Sequence, residues 1–274
     1  AALLAKCFGK KTYFTGGIDS LDSDYASAFN YKIQALFFKL CYWVADSCII
    51  VSQSDLKNIF KVSSLKKKLS YSEHVINTKL FIADVPKEKI FTSIVWMGDE
   101  GNVVRKGVDK ALQIFAELKK IPEFVDYRFV IIGRKGEGEV LVRSIIDKYN
   151  LKGSVELKGE VSEEDKINLL KQSKYYFQLS LYEGFGLAAL EALCANNIII
   201  HSGKGGLANP IYKEQLLFDI DNDFDSELLK LVNKLACFTP ITSYDNLLEY
   251  YDIQRRKDDF EAIIVNGKSN YKLK

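Results

Sequence analysis

The chain has 274 residues, 47% hydrophobic and 27% charged, which excludes a disordered tail, a fibre and a coiled-coil rod. Its 38 basic and 36 acidic residues leave a net charge of +2, too small an excess to indicate a nucleic-acid partner. Five dispersed cysteines and two histidines, without a C-x-x-C pair, argue against disulfides or a zinc site and favour a reducing, cytoplasmic compartment.

Residues 1–88 are predicted to form a partial N-terminal Rossmann-like domain. Strands are expected at residues 11–15 and 48–51, with a helix at 31–45 between them. The longest apolar run, 35–51, contains Lys39 and Asp46, so we interpret it as a core helix entering a strand and not as a membrane span. Because the first residues resemble the middle of a helix, we expect the opening βαβ units to be missing upstream.

Residues 89–239 alternate short apolar runs with amphipathic stretches. Strands are predicted at 93–97, 128–132, 155–157, 175–179, 198–200 and 216–218, and helices at 108–118, 140–149, 163–172, 187–195 and 227–235. This alternation predicts a parallel, doubly wound Rossmann-like sheet that binds its ligand at the carboxyl ends of the strands. The polar segment 85–89 is predicted as the linker between the two domains, and residues 240–274 as a helical tail packing back toward the N-terminal domain.

Residues 180–192, Ser-Leu-Tyr-Glu-Gly-Phe-Gly-Leu-Ala-Ala-Leu-Glu-Ala, leave a predicted strand, turn through two glycines and enter a helix. Glycines allow the backbone to approach a ligand closely, and free amides at a helix start favour an anion. Glu183 precedes that start and Glu191 lies inside the helix, which would suit a ligand with phosphates and hydroxyl groups. Spacing alone is equally compatible with an ordinary turn carrying surface glutamates.

The Glu-Gly-Phe-Gly-Leu sequence is followed by Glu-Ala, and seven residues separate its two glutamates, Glu183 and Glu191. This pattern resembles the signature of the retaining glycosyltransferases of family 4. Further stretches resemble that family in the same order: Gly98 with Arg105-Lys106-Gly107, then residues 130–133, 155–161 and 202–206. The chain departs from the family pattern in having Asp99 in place of an arginine, Leu179 in place of a proline and Asn209-Pro210 in place of a glutamate.

The resemblance implies an α/β protein of two Rossmann-like domains facing across a cleft, the N-terminal one incomplete. It also implies transfer of a sugar from a nucleotide sugar to a glycan or lipid-linked acceptor, with no cofactor besides the donor and no metal ion. Lys106 and Arg105 would neutralise the leaving diphosphate, Glu183 would contact the donor sugar and Glu191 the ribose. The remaining donor-site residues would be Gly184, Phe185, Gly186, Leu187, Gly133 and Val161, with Asp19 on the acceptor side.

Two other classes of function stay open at this point. One is a non-catalytic glycan- or nucleotide-binding protein, and the other is a sugar epimerase or phosphorylase on the same fold. If the opening units are missing, we expect the chain to bind nucleotide but to transfer sugar poorly, and to expose an apolar face that favours association.

Four local features have alternative interpretations. Residues 133–138 carry three glycines, but in the order G-x-x-G-x-G and not that of a dinucleotide site. Residues 221–225 resemble a calcium loop but lack its glycine, so we expect a solvated helix cap. His201 ends a predicted strand and is expected to be a packed loop histidine, with a position facing the cleft as the alternative. The lysines at 66–68 are expected to be solvated, with a peripheral contact to the inner face of a membrane as the alternative.

Overall fold

The computed structural model describes residues 2–15, 28–53, 55–56, 68–82, 85–238 and 245–266. Asp19, predicted on the acceptor side, lies outside these residues. The chain divides into two compact units. The first unit comprises Ala1–Ile76, Glu183–Phe185 and Glu249–Lys274, and the second comprises Asn77–Tyr182 and Gly186–Leu248.

The second unit contains a six-stranded parallel sheet. Its strands are β4 (Glu88–Ile94), β5 (Arg128–Ile132), β6 (Val155–Gly159), β7 (Ser173–Gln178), β8 (Ile198–His201) and β9 (Leu216–Leu217). Their order across the sheet is β6-β5-β4-β7-β8-β9. The chain thus winds outward in one direction from β4 and in the other from β7. In such a sheet, ligands bind outside the carboxyl ends of the strands, at the point where the strand order reverses.

Helices lie between or after these strands along the chain. They are α3 (Glu100–Arg105), α4 (Val108–Leu118), α5 (Glu139–Lys148), α6 (Glu163–Gln172), α7 (Leu187–Cys194) and α8 (Phe224–Cys237). Side-chain oxygens of Asp99, Ser162 and Asp223 accept backbone N–H bonds at the starts of α3, α6 and α8. Such caps stabilise helix starts, since they satisfy amides that have no partner within the helix.

The core of the second unit is built around the ring of Phe91, which stacks on Tyr175 and Phe177 with centroid separations of 4.6 and 5.1 Å. Two buried hydroxyls of the same central strand also find partners. The Thr92 hydroxyl hydrogen-bonds that of Ser173, and Ser93 Oγ donates to the carbonyl of Phe177 at 3.2 Å. Polar residues therefore occupy a buried strand without leaving hydrogen-bonding groups unsatisfied.

The first unit contains a second parallel sheet, β1 (Tyr13–Thr15), β2 (Ser47–Ile50) and β3 (Leu69–Tyr71), in that order. Its helices are α1 (Ala2–Cys7), α2 (Ala28–Val44) and α10 (Ile253–Asn266), while α9 (Asp245–Tyr250) continues from the second unit into the first. Helix α10 is tied to the residues after β3, because Ser72 Oγ donates to Asp259 at 3.0 Å and a parallel bridge joins Ile76 to Asp252.

The expected helix in the apolar run 35–51 is present as part of α2, but the expectation that it is buried in the core is wrong. Phe38 and Tyr42 are buried against the sheet, whereas Ile33, Leu36, Phe37, Leu40 and Trp43 are 48 to 70% exposed. A helix presents only one stripe of side chains to a single sheet, so an evenly apolar helix leaves its other faces uncovered. None of the described helices is long and apolar enough to span a membrane.

Of the three lysines at 66–68, only Lys68 lies within the described residues. Its Nζ donates to the carbonyls of Tyr42, Trp43 and Ala45, at 3.2, 3.3 and 2.9 Å. A cation at this position stabilises the carboxyl end of α2, where carbonyls lack intrahelical partners. Lys68 therefore has a structural role.

The predicted α/β fold with parallel sheets is confirmed, and the limits of the predicted domains stay a prediction. One strand needs correction: β4 begins at Glu88, inside the predicted linker, and ends before Trp96, which is 57% exposed. Charged residues can occupy the start of this strand because both form ion pairs. Glu88 lies 3.2 Å from Arg128, and Lys89 lies 3.0 Å from Asp126.

Candidate active site

The loops that follow β4 and β7 touch each other at the point where the strand order reverses. The backbone N–H of Leu181 donates to the carbonyl of Arg105 at 2.8 Å. Gly107 has a φ of +68°, and a Cβ there would lie 2.0 Å from the carbonyl oxygen of Leu179. Only glycine allows this approach. The fold thus brings the predicted cationic loop beside Leu179 and Leu181, the residues that directly follow β7.

Arg105 and Lys106 stand at the end of the short helix α3. Asp99 caps its start, accepting from the N–H of Asn102 at 2.6 Å, which explains an aspartate at this position. The guanidinium of Arg105 donates to Asn102 Oδ1 at 2.6 Å, and the N–H of Lys106 donates to the carbonyl of the same residue. Two half-buried cations therefore stand side by side at the end of one short helix.

The start of α7 supplies the backbone amides predicted to bind an anion. Gly186 precedes it with a φ of +86°, and no side chain caps this helix start. Gly186 is packed from behind by Leu207, which would lie 3.1 Å from a Cβ at this position, and its carbonyl accepts from the Tyr212 hydroxyl at 3.4 Å. The amides from Leu187 onward consequently begin a helix whose positive dipole end is available to a negative group.

Glu183, Gly184 and Phe185 group with the first unit, although they lie between β7 and α7 along the chain. The buried ring of Phe185 lies 5.5 Å from the ring of His74 and 6.1 Å from that of Tyr251. Glu183 and Gly184 are half-buried. The roles assigned to these residues stay predictions.

Glu191, predicted to hold the ribose, lies on α7 and forms an ion pair with Lys166 of α6. Lys166 Nζ is 2.9 Å from each carboxylate oxygen of Glu191 and 2.8 Å from Glu163 Oε1. Burial raises the pKa of Glu191, against the opposing effect of the hydrogen bond and charge of Lys166. Burial lowers the pKa of Lys166, but its bonds to the two glutamates outweigh burial and leave that pKa above its usual value.

Lys166 is a residue that sequence reasoning missed. Its spacing to Glu163 indicates only an ordinary pair within one helix. Its contact with Glu191 depends on how α6 packs against α7, for which the sequence carried no signal.

The glycines of residues 133–138 serve loop packing. The N–H groups of Glu137 and Gly138 donate to the carbonyls of Gly98 and Met97, at 3.1 and 3.2 Å. Amides engaged in this way cannot also bind a pyrophosphate, so the structure gives no support to a dinucleotide site in this loop.

Gly133 and Val161 lie at the ends of neighbouring strands. Gly133 has a φ of +132°, and a Cβ there would lie 2.0 Å from the carbonyl oxygen of Val95. Its N–H donates to the carbonyl of Gly159 at 2.8 Å, and Val161 packs against a small apolar cluster under β4 and β5. Gly133 is thus required for close backbone approach, and base recognition by Val161 stays a prediction.

The remaining candidates have structural explanations. His201 is buried with its ring 5.6 Å from that of Tyr212, and burial lowers its pKa to about 4. Asp221 pairs with Lys204, and Asp223 caps α8, as expected for a solvated loop and helix cap. Within the described residues, no group of three or more His, Cys, Asp or Glu side chains is placed to hold a metal ion.

Comparison with known families places part of the chain in a family. A family model for glycosyl transferases group 1 matches residues 101–236, the segment that contains Arg105, Lys106, the start of α7 and Glu191. The segment 101–236 therefore belongs to the group 1 glycosyl transferases, and the resemblance to the retaining family 4 enzymes is confirmed.

Individual relatives agree with this assignment. GDP-mannose:cellobiosyl-diphosphopolyprenol alpha-mannosyltransferase of Xanthomonas oryzae is 32% identical over 163 residues, covering 52% of this chain and 40% of that protein. Sucrose-phosphate synthase from Thermosynechococcus elongatus has the same fold, with 20% identity, a TM-score of 0.76 and coverage of 96% of this chain and 69% of that one. The structure of Anabaena Alr3699/HepE in complex with UDP-glucose is also similar, with 12% sequence identity and a TM-score of 0.77. The match covers 97% of this chain and 75% of that one. The chain spans less than half of the Xanthomonas protein.

Proposed function

We propose that this protein transfers a sugar from a nucleotide sugar to a glycan or lipid-linked acceptor, with retention of the anomeric configuration. The observation that carries the proposal is the meeting of two loops at the reversal of strand order in the second unit. One loop ends in Arg105 and Lys106, and the other belongs to the stretch that leads to the uncapped start of α7. Family membership of the same segment supports it.

The donor diphosphate would lie against the amides at the start of α7. As the bond to the sugar breaks, negative charge grows on the leaving diphosphate, and the helix amides with Lys106 and Arg105 stabilise it. Glu191 accepts hydrogen bonds from the ribose, and Glu183 from hydroxyls of the donor sugar. We propose that neither a cofactor nor a bound divalent metal ion takes part.

The donor is proposed to be a UDP or GDP sugar. The Xanthomonas relative is named for GDP-mannose, and the Anabaena structure is described as a complex with UDP-glucose. The same Xanthomonas name gives a diphosphopolyprenol acceptor, which supports a lipid-linked acceptor for this chain.

Binding of nucleoside diphosphates tests the donor site. Lys106→Ala and Glu191→Ala are each expected to weaken UDP or GDP binding about tenfold or more, since each removes a charged partner of the ligand. Calorimetry would measure the affinity and circular dichroism the fold, with Lys148→Ala on the exposed end of α5 as the control. Unchanged affinity in both variants would refute the proposed site. Tight binding without turnover of any nucleotide sugar would instead favour the non-catalytic alternative.

We also propose a peripheral membrane contact through the exposed face of α2, at the inner face of the membrane. Its outer apolar side chains include Phe37 and Trp43, its charges Lys32 and Lys39 are both positive, and it has no acidic residue. An apolar face with aromatic residues and lysines fits the surface of a bilayer with anionic headgroups. A lipid-linked acceptor would reside in the same bilayer.

Flotation with phosphatidylglycerol-containing vesicles tests this contact. Phe37→Ser with Trp43→Ser is expected to abolish binding, whereas Leu229→Ser, which removes a similarly exposed side chain on α8, is expected to leave it intact. Failure of the unchanged protein to float would contradict the proposal. Concentration-dependent dimers that disappear in the double variant would show that a second copy covers this face instead.

A further inference from the structure

Glu191, a predicted donor-site residue on α7, forms an ion pair with Lys166 on the neighbouring helix α6. Both side chains are 16% exposed, and Lys166 Nζ lies 2.9 Å from each carboxylate oxygen. The surface pair of Lys120 with Glu117 differs, because it lies within one helix turn and its side chains are 69 and 31% exposed. A pair that bridges two helices with this degree of burial fixes the position of both groups.

This geometry leaves Glu191 able to accept further hydrogen bonds. Each carboxylate oxygen has two acceptor positions, and the ammonium group uses one on each oxygen. The remaining positions can receive the two neighbouring hydroxyls of a ribose. Lys166 also has its own second partner, Glu163, which is 67% exposed and holds the ammonium group from the solvent side. The plane of the Glu191 carboxylate is thereby set before a ligand arrives.

The charge of Lys166 also bears on which form of Glu191 is present. Removal from water favours the neutral acid, which offers fewer acceptor positions than the carboxylate. An ammonium group in contact favours the ionised form. Lys166 therefore determines both the orientation of the carboxylate and its capacity to accept hydroxyl groups.

We propose that Lys166 is a positioning residue for ribose recognition, acting through Glu191 so that the site discriminates a ribonucleotide from its deoxy counterpart. The inference rests on the proposed function, in which Glu191 binds the ribose. Lys166 itself contacts neither the sugar nor the reacting atoms.

The experiment compares UDP and GDP with their 2′-deoxy and 3′-deoxy counterparts, using calorimetry on the full chain. The variants are Lys166→Met, which removes the charge, Lys166→Gln, which keeps a donor without charge, and Glu191→Gln. Lys171→Met on the same helix α6 is the matched control. Should Lys166→Met fail to fold by circular dichroism, the Gln variant carries the comparison.

The unchanged protein and Lys171→Met are expected to prefer the ribonucleotide by about tenfold, the effect of losing a hydrogen bond to a charged group. Lys166→Met and Glu191→Gln are each expected to lose most of that preference. A variant that combines these two substitutions is expected to lose no more than either alone. A variant that had merely loosened the fold would weaken ribo- and deoxynucleotides equally and keep the preference.

Two outcomes overturn the inference and are distinguishable from each other. If Glu191→Gln loses the preference but both Lys166 variants keep it, Lys166 has no part in ribose recognition while the proposed donor site stands. If the unchanged protein shows no preference, or Glu191→Gln keeps it, the ribose role of Glu191 is wrong and the inference falls with it.

Discussion

If Glu191 binds the ribose as proposed, its protonation state is expected to couple nucleotide binding to pH. Burial raises its pKa, and Lys166 pushes the pKa down. The other titratable groups near it are Glu163 on α6 and Cys194 on its own helix, whose thiol pKa is raised to about 12 by burial and by Glu191. Cys194 thus stays neutral over the range in which Glu191 titrates.

Nucleotide affinity is expected to fall as the pH drops through the raised pKa of Glu191, since the neutral acid accepts the ribose hydroxyls less well. In Lys166→Met this fall is expected to move to higher pH, because the ammonium group that lowers the pKa is gone. Calorimetry between about pH 5 and pH 8 measures it. The variant Glu191→Gln serves as the control, because its affinity changes with pH only through titration of the ligand phosphates and of other protein groups. Identical dependence of affinity on pH in the unchanged protein and in Lys166→Met would contradict the coupling.

At the level of single residues, the sequence was informative where chemistry follows from chain order. Glu191 and the Arg105-Lys106 pair could be proposed from the sequence because a helix start and a loop end are local features, and their roles in binding stay predictions. Lys166 could not be found, since its partner lies 25 positions away on another helix. Asp99 was visible only as a departure from the family pattern, and its capping bond gives the reason for it.

The contact between the loops after β4 and β7 depends on Gly107. Gly107→Ala is expected to lower the free energy of unfolding by clearly more than the roughly 1–2 kcal/mol of a left-handed alanine, because the new Cβ meets a backbone oxygen. Gly153→Ala is the control, since Gly153 has a φ of +84° with no atom within 4 Å of its Cβ position. Chemical denaturation measures both. Equal losses would show that the close approach at Gly107 contributes nothing beyond backbone strain.

At the level of elements, patterning located most of the second unit. The limits predicted for the strand at 128–132 and the helices at 108–118 and 163–172 are those observed. The pattern misplaced β4, because charged residues at a strand end have no apolar signature although cross-strand ion pairs stabilise them. The pattern also wrongly predicted that α2 is buried in the core. The apolar content of a helix shows that it has surface to bury, but not which part of the molecule covers that surface.

For the molecule as a whole, the proposed mechanism neutralises the leaving diphosphate with protein groups alone. Turnover of the intact enzyme is therefore expected to persist in a chelator, measured as release of UDP or GDP from the sugar donor. Loss of turnover in EDTA that magnesium or manganese restores would contradict this. The Lys106→Ala variant is the matched comparison. It is expected to lose turnover whether or not a divalent metal ion is present, because the protein cation that stabilises the leaving diphosphate is gone.

The central claim is that a nucleoside diphosphate binds at the reversal of strand order in the second unit, between the α3 loop and the start of α7. Hydrogen–deuterium exchange with and without UDP and GDP tests it most directly, because it reports on these backbone amides themselves. The account predicts slower exchange at residues 99–107 and at the first turn of α7, no change in α5, and a smaller effect of nucleotide in Glu191→Ala at a concentration near the Kd of the unchanged protein. Protection confined to residues 133–138, or absent from both predicted segments for every nucleotide bound, would contradict it.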